Sequence, residues 1–191
     1  MTVEGVTAAQ LAGKVNNTGD ETIAGIKTFS SQPVLPQKLT QGTAVASTSG
    51  TNIDFASIPS WVKRITIAFN GVSTNGANNI QVVLGTGATP TYTTSGYAGG
   101  YSLGNNAIFT SAMSTGFDVM AVAATSIVHA VVTLVNVTGN TWVMSGNAQI
   151  SNSTSYQFGA GSVSLAAALT AVRVTAGGNT FDAGNINILY E

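Results

Sequence analysis

Cysteine is absent from this 191-residue chain. That excludes a disulfide framework and any thiolate metal site, and it leaves the redox compartment unreadable. Charge is scarce as well. Asp, Glu, Lys and Arg make up 7% of the residues, against ~25% in an ordinary soluble domain. There are six basic residues and the net charge is −1. Nucleic-acid binding rests on clustered Lys and Arg, and here the one adjacent pair is Lys63-Arg64. A polybasic membrane patch is missing for the same reason.

His129 is the only histidine. With neither a second histidine nor a cysteine in the chain, no transition-metal site is expected. Copies meeting on a threefold axis could still offer three imidazoles. A single histidine in an apolar run supports no Ser-His-Asp arrangement either, and packing or an interface is its expected role. The most apolar stretch, Ala121 to Val137, is interrupted by Thr125, Ser126, His129, Thr133 and Asn136. It falls short of the ~20 apolar residues of a spanning helix, and its β-branched content reads as buried strand, so membrane insertion is not expected. Met1-Thr2-Val3-Glu4 opens without a basic n-region and an apolar h-region, so no secretory signal is expected.

What the chain does have is Ser, Thr, Asn and Gly beside 44% apolar residues. Solubility must rest on hydroxyls and amides, groups that hydrogen-bond water and sugars well and attract ions poorly. The few charges are unevenly spread. Glu4, Lys14, Asp20, Glu21, Lys27 and Lys38 fall in residues 1–40; the remainder of the chain holds only Asp54, Lys63, Arg64, Asp118, Arg173, Asp182 and Glu191. With Pro33 and Pro36 this places a boundary near residue 40, between an N-terminal segment (1–40) and a C-terminal head (41–191). Within the first part, Ala8, Leu11, Ala12 and Val15 have helical spacing, but a turn and a half is marginal alone.

The head reads as strands. Ile65, Ile67 and Phe69 alternate with polar or small residues. Ile80, Val82 and Leu84 continue the pattern after Ser73-Thr74-Asn75-Gly76, and Ile186, Ile188 and Tyr190 alternate at the C-terminus, a period of two. Two hairpins are expected. A turn at Gly177-Gly178 would set Val174 opposite Phe181 and Arg173 opposite Asp182. A turn at Gly139-Asn140 would set Val137 opposite Trp142 and Val135 opposite Met144, with Val132 and Leu134 on the other face. A strand apolar on both faces needs cover on both, and the second cover could come from another subunit. Residues 85–104 hold six glycines among Pro90, Tyr92, Tyr97 and Tyr101 and read as a long loop or a set of tight turns. Long loops tend to carry function.

Asn16 to Phe29, Asn-Asn-Thr-Gly-Asp-Glu-Thr-Ile-Ala-Gly-Ile-Lys-Thr-Phe, followed by Ser30-Ser31-Gln32-Pro33-Val34-Leu35-Pro36, is too short and too polar to bury itself. It resembles a segment that recurs in bacteriophage tail fibres. Thr51-Asn52-Ile53-Asp54-Phe55-Ala56-Ser57-Ile58-Pro59-Ser60-Trp61-Val62-Lys63-Arg64-Ile65-Thr66, with Phe69 to Gly76, resembles the start of a head domain found in phage and prophage tail fibres. Thr180-Phe181-Asp182-Ala183-Gly184-Asn185-Ile186-Asn187-Ile188-Leu189-Tyr190-Glu191 is similar to the way those heads end. Roughly residues 85–160 carry no matching motif.

The resemblance implies a homotrimeric, all-β tail fibre. An antiparallel β-sandwich-like head would bind a bacterial surface receptor, commonly a polysaccharide, without cleaving it. A short fibrous N-terminal segment would contact other tail or baseplate proteins. It implies a virion component made in the host cytoplasm, which needs neither targeting signals nor disulfides. Tyr92, Tyr97 and Tyr101 are the candidate receptor contacts, because flat sugar C–H faces pack on aromatic rings and tyrosine offers rigid contact area. Tyrosines with one wet end are also common at strand edges. Trp61 and Trp142 are expected to pack.

No enzymatic activity and no cofactor are expected. Glycan hydrolysis needs two carboxylates ~5–10 Å apart. Asp182 has a role opposite Arg173, Asp54 is expected to face solvent or Arg64, Glu191 ends the sequence, and Asp118 has no assigned role. Gly85-Thr86-Gly87-Ala88-Thr89-Pro90 lacks the lysine and following helix of a phosphate loop. A monomeric carbohydrate-binding or adhesin module, and a small depolymerase, remain the alternatives.

Overall fold

The computed structural model describes residues 39–104 and 108–191. The expected helix at Thr7–Val15, the fibre-like segment Asn16–Phe29 and the proline-marked boundary therefore lie outside the described residues. Those residues contain no helix and fourteen strands.

In chain order the strands are β1 (Thr40–Gln41), β2 (Val45–Ala46), β3 (Asn52–Phe55), β4 (Arg64–Thr74) and β5 (Asn78–Thr86). There follow β6 (Thr91–Tyr92), β7 (Ala98–Gly104), β8 (Ile108–Met113), β9 (Phe117–Val122) and β10 (Val128–Thr138). The last are β11 (Thr141–Ile150), β12 (Tyr156–Ser164), β13 (Leu169–Thr175) and β14 (Phe181–Tyr190). They form two antiparallel sheets. The long one runs β1-β14-β4-β10-β11-β12-β7-β8, with β2 also on β14. The short one runs β3-β13-β5-β6, with β9 also on β5.

Both sheets turn apolar faces toward one core. Ile65, Ile67, Val132, Leu134, Met144, Ile186 and Ile188 line it from the long sheet, and Ile80, Val82, Leu84, Phe117, Met120, Val172 and Val174 line it from the short one. This is the inward half of the period-two pattern read in β4, β5 and β14. Full burial stabilises each such side chain by ~1.5–3 kcal/mol, which fixes strand register because a one-residue slip would turn the whole set outward.

Three expectations need correction. First, residues 85–104 are not one loop. They contain β6 and β7, and β7 pairs along its length with both β12 and β8. Its glycines are paired strand positions. A Cβ on Gly99 would run into the backbone of Ala160 and Gly161, so glycine there is a condition of close strand approach.

Second, Gly177-Gly178 does turn the chain, with φ of 61° and 100°, a region glycine enters without strain. The turn carries the chain from the short sheet to the long one and makes no hairpin. β13 pairs with β3 and β5, β14 with β1, β2 and β4, and Arg173 sits opposite Asp54. The reason is long-range: Ala176 N–H is taken by Thr51 O and Phe181 N–H by Gly50 O, each at 2.9 Å.

Third, the β10–β11 hairpin forms with its register moved by one. Thr138 faces Thr141 across the turn, but Asn136, not Val137, faces Trp142, Val135 faces Val143, and Leu134 faces Met144. Val137 is the bulged residue. The bulge is held by Asn136, whose Nδ2 donates to Gly139 O at 2.9 Å and Thr141 O at 3.1 Å. Trp142 is buried as expected; Trp61 is half exposed, its ring centroid 6.0 Å from that of Tyr190.

Candidate functional site

The three tyrosines proposed from sequence do not meet on one surface. Tyr97 is core, 5% exposed, edge-on to Phe117 at 4.8 Å. Its hydroxyl accepts the Leu84 N–H at 2.9 Å. Leu84 lies between the stretch of β5 paired with β9 and the stretch paired with β6, so the phenol closes a gap in the ladder. Burial pushes its pKa up to about 12. Tyr92 lies beneath the Arg173 guanidinium, 3.9 Å from ring centroid to Cζ, and partial burial raises its pKa. Tyr101 is half buried, with its hydroxyl 3.4 Å from Asn79 Nδ2.

The four carboxylates of the described residues are dispersed and occupied. Asp54 takes a two-pronged contact from Arg173, at 2.7 Å to each oxygen. That contact first, and the nearby negative charge after it, raises the Arg173 pKa. Glu191 pairs with Arg64, and Asp182 accepts from the Ser73 hydroxyl. Asp118 is buried and accepts from Asn79 at 2.8 Å and Gln81 at 3.0 Å. No cluster of three metal-ligating side chains occurs among the described residues. No helix among them is long and apolar enough to cross a membrane.

The least self-sufficient surface is the outer face of the long sheet. Strands β7, β8, β10, β11 and β12 are consecutive neighbours in it and contain no Asp, Glu, Lys or Arg. Val131, Val135, Val137 and Val143 are exposed there, with Val135 directly opposite Val143. His129 lies on the same face and is exposed.

One strand further, β12 reverses the usual inside-out rule. Tyr156 and Phe158 are 42% and 54% exposed, while Gln157 between them is 2% exposed. The glutamine is held inside because its Oε1 accepts the Ala121 N–H at 3.1 Å and its Nε2 donates to Asp118 O at 3.3 Å. It satisfies the outer edge of β9, a requirement for buried backbone groups, and period two then forces both aromatic rings outward. The rings are nearly parallel, at 10° with centroids 6.2 Å apart. Tyr156 lies across Gly104, where a Cβ would run into its ring.

On the far side of Phe158 is an open trough of about 700 Å³. Its floor is Gly100, Ala112 and Ala160, neighbours across β7, β8 and β12. Ser102, Thr110 and Ser145 carry hydroxyls on its border. A second hollow, of about 330 Å³, lies between Phe158, Tyr156, Asn147, Gln149 and His129. Sequence reasoning missed this pair. Its signal was present as aromatic-x-aromatic followed by Gly-Ala-Gly, but alternation alone does not say which set faces out. Comparison of the chain with protein-family models, with curated proteins and with solved structures finds no match.

Proposed function

We propose that this chain is a bacteriophage tail fibre protein whose C-terminal β-sandwich head attaches to a bacterial surface polysaccharide without cleaving it. In this reading it works as a homotrimer in the virion, with residues 1–40 as a fibrous segment toward other tail or baseplate proteins. The observation that carries the reading is the outer face of the long sheet. Five adjacent strands without a formal charge present exposed valines and aromatic rings. Such a face favours apolar contact with copies of itself and with neutral, hydroxyl-rich ligands over nucleic acid or anionic partners.

The valines of β10 and β11 suit a subunit contact, and the aromatics of β12 suit a ligand. Linked heads turn weak single sites into firm attachment. The resemblance of the framework strands to tail-fibre heads supports the same reading. A monomeric carbohydrate-binding module is the reading favoured by the closed core, since Phe117 and Phe181 are fully buried within one chain.

The test is adsorption of the labelled, purified chain to a panel of bacterial strains, competed by each strain's extracted surface polysaccharide. Strain-specific binding that the matching polysaccharide abolishes, with no release of reducing ends, supports the function. Absence of adsorption to every strain contradicts it, and release of reducing ends would turn the reading to a depolymerase.

A further inference from the structure

We infer that Phe158 and the trough beside it form the saccharide subsite of this head, and that the ligand unit bound there is a neutral sugar. The inference rests on the glycan-binding reading above and gives it a place and a chemistry.

Phe158 has two faces in different surroundings. One stacks on Tyr156, which is itself seated on Gly104. The other looks over a floor of Gly100 and Ala160, where no side chain extends past a methyl group. A flat ring standing beside an open trough is what the C–H face of a pyranose requires. The sugar's weakly positive C–H groups meet the negative face of the ring, and its hydroxyls reach Ser102 and Ser145 on the border. The trough's volume, about 700 Å³, is within the ~300–1,000 Å³ typical of small-ligand clefts.

Neutrality follows from the lining, which among the described residues contains no ionisable side chain other than the Tyr101 phenol. A uronate or sialate carboxylate would lose hydration there without gaining a cation. The platform is also ordered in advance. Gln157 is locked inside by two hydrogen bonds, so β12 cannot turn its aromatics inward without breaking them, and little conformational entropy is lost on binding.

The measurement is binding of the full chain to arrayed neutral and acidic bacterial polysaccharides and to short neutral gluco-, galacto- and manno-oligosaccharides, for wild type, Phe158→Ala and Phe158→Tyr. We expect binding to a neutral sugar series, a loss of roughly tenfold or more in Phe158→Ala, and retention in Phe158→Tyr. Light scattering should give the same mass for all three. Equal binding by wild type and Phe158→Ala overturns the subsite while leaving the adsorption function intact. Binding confined to acidic polymers overturns the neutral class. A lower mass for Phe158→Ala makes the ring a subunit contact and also overturns the subsite. A wild type that adsorbs to cells but binds no saccharide overturns both the subsite and the glycan receptor.

Discussion

The two outer faces of this sandwich solve the same problem in opposite ways. On the short sheet, Asp54 from β3, Arg173 from β13 and Tyr92 from β6 close on one another. The guanidinium spans a carboxylate at 2.7 Å and covers a phenol ring at 3.9 Å. Its facing charges are paired and the Tyr92 ring is covered. On the long sheet, four valines and two aromatic rings stand exposed on strands without a charge. The same fold thus pairs the charges of one surface and leaves apolar side chains exposed on the other, which is why the proposed association and ligand binding are assigned to the long sheet.

The largest expected effect removes the layer both faces share. Phe117→Ala, at a fully buried ring packed on Tyr97, should cost ~3–5 kcal/mol in chemical denaturation. A cost below ~1 kcal/mol would mean that the sheets are not packed through this ring.

Tyr97→Phe probes the same layer through pH. A phenol kept neutral up to about pH 12, and ionising near ~10 when unfolded, contributes its full stabilisation below ~10. That contribution is lost as pH rises toward 12, by about 2–3 kcal/mol at most. The wild type should therefore weaken steeply in that window. The variant should lack that component of the slope and lose ~1–3 kcal/mol at neutral pH, because Leu84 N–H is left without its acceptor. Parallel pH profiles would show that Tyr97 is not buried as described.

Breaking the charge-paired face should cost less. Arg173→Ala is expected to lose ~1–2 kcal/mol, from a partly exposed ion pair and a cation–π contact. A double-mutant cycle with Asp54→Ala should show a coupling of ~0.5–1 kcal/mol. A coupling of zero would say that the charges of the short-sheet face are not paired. The smallest folding effect is expected on the open face. Val131→Ser with Val135→Ser should keep the circular dichroism of the wild type and change the stability of the single chain by ~0.5 kcal/mol or less, while lowering the native mass. A large loss of intrinsic stability with unchanged mass would place these valines in a core.

Much of the framework was legible because burial imposes a strict period. Ile65, Ile67 and Phe69, and Ile186 and Ile188, lie inward as alternation requires. The turns were found from glycine and asparagine, but their consequences were not. Whether Gly177-Gly178 closes a hairpin or crosses between sheets depends on which backbone groups are free elsewhere, at Gly50 and Thr51. The shift at Val137 depends on the Asn136 amide bonding into the turn. The site was harder still. Tyr92, Tyr97 and Tyr101 look alike in a glycine-rich stretch, and only the packing separates a core phenol from a cation-covered one. Phe158 is outward because Gln157 is needed inside, and that need arises 36 residues earlier in the chain, at Ala121.

The most direct measurement is the native mass of the full chain by light scattering over a dilution series. Three chains of 19.3 kDa should give about 58 kDa, persisting on dilution. A species of 19.3 kDa at every concentration would contradict the account, because the valine face would then need no cover.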